Sequence, residues 1–188
     1  MITNADDRAT AQVIHALAVL ADKGMLDEEC WPGIARILLD QGFRWPAIRA
    51  LAARDEPTEY RVLLILKDLA AQTERDLADG PIADPWDVVA GIYGRAWRFG
   101  LLDETLAMWR MDHVCFHLRG LPDDERCLGM RLLWRAMGVK EADGEYPSAD
   151  VPAQAEAVLA QADSLLAPRA LSYTLCEAIR AAMDDAAY

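Results

Sequence analysis

Cysteine is scarce in this chain and shows no pairing pattern. Of 188 residues only Cys30, Cys115, Cys127 and Cys176 are cysteine, and no two are spaced Cys-x-x-Cys. That argues against a disulfide framework and against the common zinc ribbons. Each of the four sits inside an apolar helical pattern, the usual place of a reduced thiol in a core. Glycine (11) and proline (9) are also few, and they fall between apolar stretches rather than in runs, which excludes collagen-like and low-complexity chains. Long hydrophobic runs are absent. The longest, Val62 to Leu66, stops at Lys67-Asp68, far short of the roughly 18 residues that a membrane span needs. Met1 to Arg8 is polar and acidic, without the basic and apolar regions of a secretory leader. The expectation is a cytoplasmic protein with no membrane partner.

Positive charge is in short supply too. Lysine and arginine total 19 against 31 acids, a net charge of −12. Residues 1–80 carry 9 basic and 14 acidic side chains, residues 81–140 carry 8 of each, and residues 141–188 carry 2 and 9. Acidic ends of this kind repel phosphate backbones, so direct nucleic-acid binding is not expected. They can steer a basic protein partner, or serve only as a solvated surface that keeps the chain soluble.

What the chain has in quantity is helical punctuation. Asn4 can cap a first helix carrying Val13, Leu17 and Leu20, and Gly24 closes it. A second element begins at Asp27, holds Pro32 in its first turn and ends at Gly42. A third spans Arg44 to Arg54, and a fourth runs from Pro57 to about Leu77. Asp84-Pro85 opens a fifth that stops at Gly100, and Asp103 opens a sixth that reaches Leu118. Asp123-Asp124-Glu125 suits the N-terminal dipole of a seventh, and two more follow, Val151 to Leu166 and Pro168 to Ala187. No stretch alternates with period two for long enough to be a strand. The predicted fold is all-α, about nine helices in antiparallel hairpins, as a compact bundle or a solenoid-like stack. One domain, 1–188, suffices for the length; any subdivision would fall at the polar 138–150 connection.

Two helices are apolar over most of their circumference, around Val62 to Leu66 and around Leu106 to Leu118. Leu64, Leu66, Met108 and Trp109 are therefore expected to be buried at the centre. The last helix has a single stripe, Leu171, Leu175, Ile179 and Met183, and is expected to lie outside it.

The turn Lys23-Gly24-Met25-Leu26-Asp27-Glu28-Glu29 is echoed by Phe99-Gly100-Leu101-Leu102-Asp103-Glu104-Thr105. In both, Gly ends a helix, an apolar residue packs the turn, and Asp-Glu faces the next N-terminus. With Tyr93, Trp97, Gly100, Leu106 and Trp109, the second copy resembles the helix-turn-helix unit of tetratricopeptide-repeat proteins over about 70 residues at most. That resemblance implies stacked hairpins with a concave surface for a peptide or protein. Plain helix-hairpin chemistry also produces such an echo in any bundle, so both origins stand.

Few residues invite chemistry. His113 and His117, at i and i+4, share a helix face and are the candidate metal ligands. Leu102, Leu106, Trp109 and His113 fall on one stripe, however, which would turn His113 into the core and leave two hydrogen-bonded histidines without metal. His15 stands alone. The glycines read as helix stops, not as a phosphate loop. Arg95, Arg98, Arg110, Arg126, Arg131 and Arg135 either pair with acids of adjacent helices or line an anion cleft. Six tryptophans are read chiefly as packing, with Trp31-Pro32 and Trp45-Pro46 at helix starts. No cofactor and no tightly bound metal is expected. The function expected is a non-enzymatic protein-interaction module: an adaptor, a chaperone-like binder, or an inhibitor of a basic partner met through Asp143, Glu145 and Asp150. The alternative is a helical enzyme or a ligand- or metal-binding protein using His113, His117 and the arginines of residues 95–135.

Overall fold

The computed structural model describes residues 5–21, 28–53, 59–117, 128–129, 131–136 and 151–186. Every regular element among them is helical, and the fold is all-α. Contacts gather into two compact units, Met1–Pro85 with Arg169–Tyr188, and Trp86–Pro168. The 138–150 connection lies outside the described residues.

The first unit contains α1 (Ala5–Ala21), a single 3-10 turn (Glu28–Cys30), α2 (Trp31–Asp40), α3 (Pro46–Ala52), α4 (Glu59–Leu77) and, near its other end, α8 (Tyr173–Ala186). α1 lies antiparallel on α4. Arg8 Nη2 donates to Leu77 O at 2.9 Å, while His15 Nδ1 lies 2.9 Å from Thr73 Oγ1 and 3.3 Å from Ala70 O. α2 packs on α3 and α8, and α3 on α4. The apolar stripe of α8 faces this core: Leu175, Ile179 and Met183 are all buried, as is Leu171 just before the helix.

The stops and starts follow local chemistry. α2 ends in a Schellman turn: Gly42 has φ 97°, Phe43 N reaches Leu38 O at 3.0 Å, and Gly42 N reaches Leu39 O at 3.0 Å. Only glycine adopts that left-handed conformation without strain. Trp45, preceding Pro46, is extended at ψ 142°, which ends the loop and begins α3. α8 begins at Tyr173, not at Pro168 as the sequence suggests, because Ser172 is its cap: Ser172 Oγ accepts from Leu175 N at 3.2 Å.

The second unit contains α5 (Pro85–Arg98), α6 (Glu104–His117), helical residues 128–129 and 131–136, and the helix Val151–Asp163, here α7. Gly100, at φ 70°, closes α5 with the same 6→1 bond, Leu101 N to Ala96 O at 2.9 Å. Asp103 caps α6, its Oδ1 accepting from Leu106 N at 2.7 Å. α6 packs against α7. Burial, with Glu156 and Asp103 close by, raises the Glu104 carboxyl above the usual carboxylate range. Gly94 is no helix stop: a Cβ there would stand 2.7 Å from Leu159 O and press on Asp163 N, so α5 and α7 meet backbone to backbone. Gly91 is likewise packed inside α5, against Leu166.

Two expectations about the core are corrected. Leu66 and Met108 are buried, but Leu64 is 46% exposed and Trp109 only half-buried. α4 buries Val62, Leu66, Leu69, Thr73 and Leu77, a stripe at helical spacing, and Leu64 falls on the opposite side of it. Among the described side chains of α6 the buried ones are Ala107, Met108, Met111 and Val114. Leu106 is 38% exposed, and His113 is half-buried rather than turned into the core.

Candidate functional site

A concavity of the first unit opens where α2 turns into α3. It holds about 550 Å³ and is bounded by Gln41, Phe43, Arg44, Trp45, Asp7 and Gln72. The Gly42 turn throws Phe43 back over the end of α2, and the Trp45-Pro46 step places the indole beneath it. The two rings stand 5.4 Å apart, tilted by 51°. Trp45 is buried, and its Nε1 donates to Asp76 of α4 at 3.0 Å, which fixes the ring. Gln41 Nε2 donates to Ser172 Oγ at 2.6 Å, which ties the rim to the start of α8.

The cleft therefore has an aromatic floor held from two helices and a rim of two amides, a carboxylate and a guanidinium. Amides donate and accept at once, as a peptide main chain does. A shallower groove of about 350 Å³ continues from it between α3 and α4, sharing Pro46 and Gln72 and reaching Ala50, Ile65, Asp68 and Arg75.

In the second unit two of the candidate arginines, Arg95 and Arg98, pair with one acid, Asp163. Arg95, 2% exposed, donates through Nε to Asp163, through Nη1 to Pro168 O at 3.0 Å, and through Nη2 to Leu166 O and Ala167 O at 3.2 Å each. Arg98 Nη1 donates to the other Asp163 oxygen at 2.7 Å. The guanidinium thus caps the carbonyls that follow α7, which have no partner within the helix. Sequence reasoning missed Asp163, yet a signal was present: an acid in the last turn of a helix opposes the helix dipole and calls for a nearby cation.

His113 stacks on Trp109, centroids 5.3 Å apart and planes within 15°, and the Arg110 guanidinium lies 4.9 Å from the same indole ring. The side chain of His117 lies outside the described residues. Among the described residues no three His, Cys, Asp or Glu side chains gather closely enough to hold a metal ion. Asp143, Glu145 and Asp150 also lie outside the described residues, as do Arg126, Cys127 and most of the first echo turn. Arg131 and Arg135 are exposed. Of the thiols, Cys176 is buried and Cys30 half-buried, and neither is in a disulfide. No helix among the described residues is long and apolar enough to cross a membrane.

Gln41, Phe43 and Gln72 could not be picked out from sequence. Glutamine has no spacing signature, and the loop revealed itself only through Gly42 and Pro46. Comparison with protein-family models, curated proteins and solved structures finds no match to this chain.

Proposed function

We propose that the protein is a protein-interaction module whose Gln41–Trp45 cleft takes a segment of a partner protein. The observation that carries this reading is the cleft's composition: a fixed aromatic floor within a rim of amides and charges of both signs. Aromatic anchors with adaptable polar groups around them are the usual chemistry of peptide capture. The acidic surplus of the chain adds a field that favours a basic partner, delivered before contact rather than within the cleft. A helical-hairpin scaffold of the tetratricopeptide kind belongs to the same proposal, since the Gly100 stop and the Asp103 cap lie in the turn that, with Tyr93, Trp97, Leu106 and Trp109, carries that likeness.

Selection of a displayed random-peptide library on the full chain tests it. Expected is enrichment of a sequence family rich in Lys or Arg, with binding weakened about tenfold, or about 1.4 kcal/mol, by Gln41→Ala combined with Arg44→Ala. Both residues are exposed, so the helical circular-dichroism signal should not change. Peptides that bind the variant as tightly as the parent chain would put the interaction elsewhere. No enrichment at all would remove the peptide reading.

A further inference from the structure

We infer that the outer face of α4 docks antiparallel on the same face of a second copy of this chain, each Asp68 meeting the other copy's Arg75. This face adjoins the cleft but does not use Gln41 or Arg44, so the two readings can fail separately.

Along α4, Leu64, Asp68, Ala71 and Arg75 recur at spacings of four, three and four, and so line one side of the helix. All four are exposed, and Leu64 is among the most exposed large apolar side chains described, at 46%. Val62, Leu66, Leu69 and Thr73 take the buried side, where α1 packs on α4, and this face is turned away from it. Asp68, Ala71 and Arg75 also line the α3–α4 groove, together with Ile65, Ala47 and Ala50.

The charges choose the occupant. A two-fold interface is isologous: if residue i meets j, then j meets i. Asp68 and Arg75 lie equally far, about 5 Å along the helix axis, on either side of the midpoint between Ala71 and Gln72. An antiparallel copy centred there therefore places a carboxylate against a guanidinium twice. A parallel copy would oppose Asp68 to Asp68 and Arg75 to Arg75, which is repulsive, so the orientation is fixed as well. Ala71 at the midpoint allows the axes to approach to the roughly 8–10 Å of packed helices. In that register Leu64 lies opposite residue 79 of the second copy, just past the end of its α4. Two exposed ion pairs about a small midpoint residue make a weak dimer rather than an obligate one, and the −12 charge on each copy works against it.

The test is sedimentation equilibrium of the full chain over a range of concentrations at about 0.15 M salt, where the reach of the net repulsion falls to about 8 Å. The parent chain should show a monomer–dimer equilibrium. Asp68→Arg alone and Arg75→Asp alone should each weaken it about tenfold or more, because each puts like charges face to face. The two together should restore it, since the swapped pair is complementary again. Ala71→Arg, a bulky charge at the midpoint, should abolish the dimer. A parent chain that stays monomeric throughout overturns the inference and leaves the groove to a different partner. So does a dimer indifferent to the single substitutions and to Ala71→Arg, or a folded double variant that fails to recover.

Discussion

Arg95 illustrates how one residue can hold a corner of a fold. A guanidinium with only 2% of its surface in water is tolerable because Asp163 balances its charge and three carbonyls accept further N–H groups. Removing the balance while leaving the cation is the costly change. Asp163→Ala should destabilise the protein by about 3–5 kcal/mol, read as a lower denaturant midpoint, because Arg95 is then buried without a counter-charge. Arg98 bonds the same carboxylate, yet its side chain is 61% exposed, so Arg98→Ala should cost less than about 1 kcal/mol. Equal losses in the two variants would mean that the burial of Arg95 is not what makes Asp163 matter. Sequence reasoning singles out six of the arginines in this region without ranking them. Rank comes from burial, and burial here is decided by Gly94, whose missing side chain lets α7 approach closely enough to bring Asp163 to Arg95.

At the scale of elements, the parts set by neighbouring residues were legible and the parts set by distant ones were not. Gly42, Gly100, Asp103 and Pro46 mark helix ends because caps and turns are closed by groups a few residues away. The start of α8 was misplaced because the turns before Ser172 include carbonyls claimed by Arg95, some 70 residues earlier. The inner face of α4 was misjudged for a different reason. Five consecutive apolar residues wrap more than once around a helix, so Val62 to Leu66 alone does not say which side is covered. The wider stripe through Leu69, Thr73 and Leu77 does. Leu66→Ala should therefore cost about 2–5 kcal/mol and Leu64→Ala no more than about 0.5 kcal/mol. Denaturant melts in which Leu64→Ala is the more damaging change would show that α4 turns its other side to the core. Of the candidate site, only the loop's punctuation could be read ahead of the structure. Gln41, Phe43 and Gln72 become neighbours through the Gly42 turn and the packing of α3 on α4, which residue spacing does not encode.

For the whole molecule the governing quantity is charge. The chain carries −12, and the share between residues 141 and 188 is nine acids against Arg169 and Arg180. Arg169 is not free to offset distant acids, since its Nη1 is paired with Asp6 at 3.1 Å, although both side chains are exposed and the pair is weak. Charges on a solvated surface cost little to keep, so their presence does not establish a use. Use would appear in kinetics. A field steers a basic partner during approach and is screened over about 10 Å at 0.1 M salt, so it acts on the encounter more than on the docked complex. With a basic peptide or protein found by the selection above, Asp143→Asn, Glu145→Gln and Asp150→Asn together should lower the association rate more than they raise the dissociation rate. The parent chain should also lose association rate more steeply with rising salt than the triple variant does. Stopped-flow rates at several salt concentrations measure both slopes. Rates that respond to neither the salt nor the substitutions would make these acids a solubilising surface, and would remove the charge argument for a basic partner while leaving the cleft intact.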